Sequence, residues 1–366
     1  MRNVLALVIF VLLGAFARDA QAEVVVGVAG PMSGHISWFG EQMQRGVELA
    51  LADLNRSGGV LGNQLRLVTA DDFCNPEQAV AAAQKLIADG AAFVVGHVCS
   101  ECSLPASRLY EAAGVLQISP ASTNPLLTDQ GRANVFRVIG RDDTQGRLRV
   151  IYLANHWRGR NIAIFHDGTT YGQGLAEETR RQLNKNGVKE TLFAAYKPGK
   201  DDYSTEIARL QAGNIAVLYI GGRHPEVALM ARALRERSYP VQIISGDAMA
   251  SEELGLIAGP AAEGIRFTFS ADPRRNPEAR TVVERFRAQG YEPAGYTLLG
   301  YAAVQVWAQA VANAGTLELK PVIASLHERQ FDTVLGRIGF DAKGDITDQG
   351  WSWYVWKGGE YIPLDE

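Results

Sequence analysis

The sequence contains few of the residues and motifs on which catalytic and metal sites usually depend. It has six histidines and three cysteines among 366 residues. It lacks a His-Glu-x-x-His pair, a Gly-x-Ser-x-Gly turn and a phosphate loop that ends in Gly-Lys-Ser or Gly-Lys-Thr. It also lacks a basic cluster, because 36 Lys and Arg are interspersed with 40 Asp and Glu. These absences indicate a protein with no metal, no cofactor and no nucleic-acid partner.

Long apolar runs are absent except near the N-terminus. Val4–Phe16 is an apolar run of 13 residues that follows Arg2 and precedes a small-x-small sequence at residues 20–22. This order is typical of a secretory signal peptide, and the run is too short for a comfortable membrane span. We therefore predict that residues 1–22 are removed on export. An uncleaved membrane anchor is the alternative.

Export makes the three cysteines candidates for a disulfide bond. In an oxidising compartment, three cysteines predict one disulfide and one free thiol. Cys99 and Cys102 form a Cys-x-x-Cys pair, which is also typical of redox and metal sites. Neither a thioredoxin-like unit nor further metal ligands accompany that pair. We predict a structural bond between Cys74 and Cys99 with Cys102 free, and a Cys99–Cys102 bond is the alternative.

Short β-rich runs alternate with segments of helical periodicity after residue 22. Val24–Ala29 and Leu65–Ala70 predict buried strands, and apolar residues recur at helical spacing in the intervening Glu41–Asn55. The alternation continues to a strand at Leu116–Ser119 and restarts with a helix near Asp143. This order predicts an α/β protein with two similar lobes, each built on a parallel sheet with helices on both faces.

Polar residues recur where the predicted strands give way to helices. Ser100 and Thr123 follow strands of the first half, and Tyr171, Arg223 and Asp247 follow strands of the second. Open α/β sheets bind ligands at the carboxyl ends of their strands. A helix N-terminus with a hydroxyl suits a carboxylate, and an aspartate suits an ammonium group. The pattern predicts a cleft for a small carboxylate-bearing molecule.

An exported enzyme is the competing interpretation. His97 and His166 each follow a predicted strand, so either could contact a ligand and move a proton. No serine or cysteine partner for either histidine is identifiable in the sequence. We therefore predict a binding protein that is not an enzyme.

Short motifs occur in order along the whole chain after residue 22. They are Gly30-Pro31-Met32-Ser33-Gly34, Phe39-Gly40, Gly58-Gly59-Val60-Leu61-Gly62, Asp71-Asp72-Phe73-Cys74-Asn75-Pro76, Gly96-His97-Val98-Cys99-Ser100, Ile118-Ser119-Pro120-Ala121, Tyr171-Gly172, Gly221-Gly222, His224-Pro225 and Phe340-Asp341-Ala342-Lys343-Gly344-Asp345. In order and spacing they resemble the periplasmic branched-chain amino-acid-binding proteins. The resemblance implies a type I periplasmic binding fold, in which two Rossmann-like lobes joined by three crossovers close on a ligand. The lobes would comprise residues 23–141 with 270–350, and residues 142–269 with 351–366.

The resemblance also implies roles for individual residues. Ser100 and Thr123 would hold the ligand's α-carboxylate through backbone N–H groups. Thr123, the carbonyl of Ala121 and Asp247 would face its α-ammonium group, and Tyr171 would close on it from the second lobe. The disulfide that the family carries matches Cys74 and Cys99. The full predicted ligand site is Phe39, Ser100, Ala121, Thr123, Tyr171, Arg223 and Asp247.

Two positions depart from the family's pattern. Arg223 stands where amino-acid-binding members typically carry tyrosine, and Asp247 stands where glutamate is common. Both residues end successive predicted strands, and a guanidinium and a carboxylate in a desolvated cleft tend to pair. Such a pair would weaken the ammonium subsite. It would favour a 2-oxo acid or an aromatic acid, with Phe39 and Trp38 against its apolar end.

The leading prediction is nevertheless a branched-chain or other apolar amino acid, with Arg223 at the rim of the cleft. The resemblance implies a monomer in the periplasm that delivers this ligand to an inner-membrane ABC permease. A sensory protein that reports the ligand to a receptor is an alternative, because the same fold serves that role.

Overall fold

The computed structural model describes residues 23–348 and 350–364. The signal peptide predicted for residues 1–22 lies outside this range. Among the described residues, the strands form two large sheets and one small hairpin, and helices cover the sheets. None of the described helices has the length and apolar character needed to cross a membrane.

The first sheet is parallel throughout and has the strand order β2-β1-β3-β4-β5. Its strands are β1 (Glu23–Gly30), β2 (Gln64–Asp71), β3 (Ala91–Gly96), β4 (Leu116–Ser119) and β5 (Val135–Arg137). Seven of the eight residues of β1 are buried, as expected for a central strand with helices on both faces.

The second sheet has the order β14-β13-β10-β9-β8-β6-β7 and is mixed. Five strands are parallel, namely β6 (Ile162–His166), β7 (Leu192–Ala195), β8 (Val217–Gly221), β9 (Gln242–Ser245) and β10 (Arg266–Ser270). After the hairpin of β11 (Phe331–Thr333) and β12 (Gly336–Ile338), β13 (Trp351–Lys357) and β14 (Glu360–Pro363) add an antiparallel edge.

The helices follow the strands in alternation. They are α1 (Ser37–Arg56), α2 (Pro76–Ala88), α3 (Ser100–Ala113), α4 (Leu126–Asp129), α5 (Asp142–His156), α6 (Thr170–Lys185), α7 (Ser204–Ala212), α8 (His224–Glu236), α9 (Glu252–Ala258), α10 (Arg280–Ala288), α11 (Thr297–Ala314) and α12 (Leu319–Glu328). Helix α11 packs on α1 beside the first sheet, and α5 packs on α6 beside the second. The predicted two-lobed α/β fold with three crossovers is confirmed.

The chain passes between the sheets at three places, after β5, after β10 and before β13. The passages lie side by side. The N–H of Ala271 donates a hydrogen bond to the carbonyl of Gly350 (3.0 Å). Gly140 lies so close to Trp351 that a Cβ atom would sit 2.6 Å from the indole nitrogen. The predicted lobe boundaries at 141/142, 269/270 and 350/351 stay a prediction, which the division of the strands between the sheets supports.

Two local differences from the sequence-based expectations have a clear physical reason. The third helix begins at Ser100, whereas the usual place of proline in the first turn of a helix would predict a start at Pro105. Pro105 lies inside the helix, and the buried face formed by Cys102, Ser103 and Ala106 outweighs the usual cost of an internal proline. Strand β10 is absent from the sequence-based prediction, because it is stabilised by pairing with β13, about 80 residues later.

The predicted disulfide is confirmed. Cys74 and Cys99 are bonded, and Cys102 is a buried free cysteine. The bond joins the loop after β2 to the residue that precedes α3. It therefore ties the start of α3, which follows β3, to the loop after β2, which lies two strands away in the sheet.

Replacing Cys74 and Cys99 by alanine should destabilise the protein. Removing a link between residues 25 apart in sequence is expected to lower the free energy of unfolding by about 3–4 kcal/mol, since the unfolded chain regains loop entropy. Urea denaturation measures this change. Cys102→Ala is the control; it removes a buried thiol without a crosslink and should cost less. An equal loss in the two proteins would contradict a structural role for the bond.

Candidate functional site

The predicted ligand residues meet where the carboxyl ends of the two sheets face each other. Ser100 opens α3 after β3, and Thr123 follows β4 of the first sheet. Tyr171 follows β6, Arg223 follows β8 and Asp247 follows β9 of the second sheet. All five side chains are buried. The sheets therefore bring together residues that are up to 147 positions apart in sequence (247 − 100).

Asp247 lies at the centre of this site. Its Oδ1 accepts hydrogen bonds from the hydroxyl of Tyr171 (3.0 Å) and from Nε2 of Gln145 (3.0 Å), and its Oδ2 accepts one from the hydroxyl of Tyr296 (2.8 Å). All three donors are neutral. Asp247 is only 1% exposed, and this burial raises the pKa of its carboxyl group above the ordinary value. A buried carboxylate held by neutral donors alone attracts a cation.

Gly246 makes room for this arrangement. A Cβ atom at this position would lie 2.9 Å from the Tyr171 hydroxyl and 2.8 Å from a methyl group of Leu175. A larger residue would therefore push Tyr171 away from Asp247.

Arg223 does not pair with Asp247, which contradicts the alternative in which these two residues form an ion pair. Its Nη2 donates to Oε1 of Glu101 (2.6 Å), and its Nη1 lies 3.5 Å from Oδ2 of Asp167. The ring of Tyr171 lies beside the guanidinium, with its centroid 5.8 Å from Cζ. Arg223 precedes α8, and its long side chain extends to the first turn of α3, where Glu101 stands. Glu101 is thus the carboxylate that the sequence analysis did not identify.

The first sheet contributes hydroxyl groups and a helix N-terminus. The Ser100 hydroxyl accepts a hydrogen bond from the N–H of Asn124 (3.3 Å). The Thr123 hydroxyl is buried and has no hydrogen-bond partner among residues 23–348 and 350–364. Cys99, which precedes α3, makes no capping side-chain hydrogen bond. The N-terminus of α3, with the positive end of its dipole, thus carries no side-chain cap and contacts the segment after β4 through Ser100 and Asn124.

Phe39 lies in an aromatic group that joins the two sides. Its buried ring meets His224 edge to face (centroids 5.0 Å apart) and Tyr296 likewise (5.4 Å). Phe39 stands on α1, whereas His224 opens α8 on the other side. Trp38, its neighbour, is half-buried. The predicted aromatic wall at Phe39 thus lies at the interface of the two sides.

Three residues of the site are missing from the sequence-based prediction: Glu101, Gln145 and Tyr296. Gln145 lies in the first turn of α5, and Tyr296 lies in the loop before α11. Neither follows a strand, so the rule of strand-to-helix junctions does not select them. Glu101 directly follows the predicted Ser100, and its place in the first turn of a helix is the signal that identifies it.

The histidines proposed for catalysis are engaged elsewhere. Both ring nitrogens of His97 have partners, since Nδ1 lies 2.6 Å from Oδ2 of Asp72 and Nε2 lies 3.0 Å from the hydroxyl of Tyr110. This network is fully buried. His166 Nδ1 accepts a hydrogen bond from the N–H of Gly168 (3.2 Å), and burial lowers the pKa of this histidine. Neither contact places an imidazole against Asp247.

Comparison with known proteins relates the chain to one family. A model of the periplasmic binding proteins matches residues 23–360. A "Leu/Ile/Val-binding protein homolog 1" of Brucella suis is 43% identical over 346 residues, which are 94% of this chain and 93% of the relative. An "Amino acid binding protein" of Pseudomonas aeruginosa is 42% identical over 358 residues, 97% of this chain and 96% of the relative.

A solved structure supports the same relationship. The leucine binding protein LivK of Thermotoga maritima superposes with a TM-score of 0.87 at 30% sequence identity, over 93% of this chain and 98% of that one. The resemblance drawn from the sequence motifs is confirmed. The chain belongs to the periplasmic binding proteins related to the branched-chain amino-acid-binding proteins, a family of ligand-binding proteins that are not enzymes.

Proposed function

We propose that this protein is the solute-binding subunit of an ABC importer and captures a branched-chain or other apolar amino acid by lobe closure. The observation that carries the proposal is Asp247, a buried carboxylate whose hydrogen-bond donors, Tyr171, Gln145 and Tyr296, are all neutral. An α-ammonium group supplies the positive charge that these donors lack. The names of the relatives from Brucella and Thermotoga, which refer to leucine, isoleucine and valine, support this ligand class.

The remaining groups fit the other parts of an amino acid. The N-terminus of α3 at Ser100 and the polar groups around Thr123 suit the α-carboxylate, through N–H groups and the helix dipole. The carbonyl of Ala121 and the hydroxyl oxygen of Thr123 can both accept hydrogen bonds from the ammonium group. The rings of Phe39 and Tyr171 supply apolar surface for the side chain.

The alternative ligand, a 2-oxo acid or an aromatic acid, is less well supported than an amino acid. That alternative depended on an ion pair between Arg223 and Asp247, whereas Arg223 pairs with Glu101. A ligand without an ammonium group would bring no positive charge to Asp247, which neutral donors alone contact. The amino acid is therefore the better match to the charges of the site.

Closure is supported by direct contacts between the two sides. The Asn124 amide donates to the carbonyl of Thr170 (2.8 Å), and the Tyr296 hydroxyl donates to Asp247. Arg223 and Glu101 form an ion pair across the same interface, with each side chain about a tenth exposed. A pair with so little solvent is screened less by salt than a surface pair. We propose that these contacts hold the closed state, which docks on the permease.

The predicted surroundings of this subunit belong to the same proposal. It is a monomer in the periplasm, released there after removal of residues 1–22, and its partner is an inner-membrane ABC permease. A sensory role would use the same closed state and a different partner.

Calorimetry with leucine and with its 2-oxo analogue, 4-methyl-2-oxopentanoate, tests the ligand class. Leucine should bind and the analogue should not. Asp247→Asn should weaken leucine binding by about 30-fold or more, since losing one member of a buried charge pair costs at least about 2 kcal/mol. Asp143→Asn, on the half-exposed Asp143, is the control and should leave binding unchanged. Binding of the oxo acid alone would contradict an amino-acid ligand.

Small-angle scattering tests closure. The radius of gyration should fall when leucine saturates the wild-type protein. Glu101→Gln and Arg223→Gln should each weaken leucine binding, and their double-mutant cycle should show about 1 kcal/mol or more of coupling. Glu178→Gln with Arg181→Gln, an ion pair within α6, is the matched control without effect. An unchanged scattering profile at saturation would argue against closure.

A further inference from the structure

Asp142 is a second buried carboxyl group in the same site. It is the first residue of α5 and is 1% exposed. Its N–H donates to the carbonyl of Thr123 (3.0 Å), which ties the start of α5 to the end of β4. Within the described part of the chain, neither carboxylate oxygen of Asp142 makes a well-aligned hydrogen bond, and the Thr123 hydroxyl lies close enough to favour its ionised form. A buried polar group without a partner is uncommon in folded proteins and points to a ligand atom.

The groups that act on Asp142 come from several elements. They are Arg149 of α5 itself, Arg137 of β5, the Thr123 hydroxyl after β4, Asp247 after β9, Tyr171 of α6, Tyr219 of β8 and Tyr296 before α11. Arg137 is bound to another acid, since its Nε lies 2.6 Å from Oδ1 of Asp345. Arg149 donates to Oε1 of Gln145, whose Nε2 donates to Asp247.

The charges of this group do not balance. Asp142 and Asp247 contribute two negative charges when both are ionised, and Arg149 contributes one positive charge. Arg149 is fully buried, with its Nε and Nη2 lacking hydrogen-bond partners among residues 23–348 and 350–364. One negative charge remains. A single monovalent cation, or a single proton, neutralises it.

We propose that Asp142 and Asp247 together form a two-carboxylate subsite for a primary ammonium group, and that the arriving ammonium displaces a proton that the two carboxyls share. The inference rests on the proposed function and adds Asp142 as a binding residue. The proton passes from the carboxyl pair to the solvent, and no covalent bond of the ligand changes.

Two carboxyl groups that are buried together repel each other when both are ionised, which explains why the pair retains a proton. Burial and the charge of Asp247 raise the pKa of Asp142 to about 7. The proton belongs to the pair, because two interacting carboxyls titrate together. Asp142 opens α5, which packs beside the second sheet, and Asp247 follows β9 of that sheet. Their repulsion therefore persists when the lobes open. A bound ammonium group favours the ionised form of both.

The sign of the pH dependence follows. Below about pH 7 the free protein holds the proton and must release it to bind a cation, so affinity should rise with pH. The rise should approach tenfold per pH unit well below pH 7 and should level off above it. A neutral or anionic ligand would show no such rise.

Calorimetry of leucine binding in buffers of different ionisation enthalpy counts the protons released. The wild-type protein should release about 0.8 proton at pH 6.5 and about 0.1 at pH 8, as expected for a group with a pKa near 7. Asp142→Asn should release none at either pH and should bind leucine more weakly at pH 8. Asp143→Asn, the adjacent acid that pairs with Arg141, should release as many protons as the wild type.

Leucine binding without proton release at pH 6.5 would overturn the inference, and so would undiminished release in Asp142→Asn. Circular dichroism and thermal unfolding check that this variant folds, and Asp142→Ser is the second variant. If leucine does not bind at all, the proposed function fails, and NMR titration of ¹³C-labelled aspartate side chains in the free protein tests the subsite. A carboxyl that titrates near pH 7 and disappears in Asp142→Asn is expected; aspartates that all titrate below pH 5 would contradict it.

Discussion

The buried charge of Asp247 is the constraint on which the site depends. A carboxylate loses several kcal/mol of hydration when it is taken from water, and neutral hydrogen bonds recover only part of that. Tyr171 and Gln145 reach Asp247 from the second side, and Tyr296 reaches it from the side of the first sheet. The same carboxylate thus links the two halves of the molecule, and in the proposed function the ammonium group of the ligand completes its charge balance.

The ion pair of Arg223 and Glu101 does not include this carboxylate. The guanidinium of Arg223 pairs with Glu101 and Asp167, and the ring of Tyr171 lies beside it. Because a guanidinium would compete with an ammonium group for Asp247, this separation leaves Asp247 available to the ligand that we propose. It gives Arg223 a role in joining the two sides, which differs from the role that a tyrosine could have at the same position.

The disulfide and the buried network of His97, Asp72 and Tyr110 hold the start of α3 in place. Cys74–Cys99 fixes the residue before the helix, and His97 holds Asp72 and Tyr110 beneath it. These groups resemble catalytic or redox residues when they are considered alone in the sequence. Their burial shows that they position the backbone that presents Ser100, and a rigid support of this kind keeps the N–H groups of a helix terminus aimed at a ligand.

Sequence patterns alone predict the alternation of strands and helices, the disulfide, and the junctions that carry Ser100, Thr123, Tyr171, Arg223 and Asp247. These features depend on hydrophobic periodicity and on a topology that places the carboxyl ends of parallel strands at one edge. Three features are visible only in the folded protein: Arg223 pairs with Glu101, Tyr296 donates to Asp247, and Asp142 is buried in the same site. Such contacts join residues that are 49 to 122 positions apart, and their distances depend on how the two sides close rather than on any local pattern.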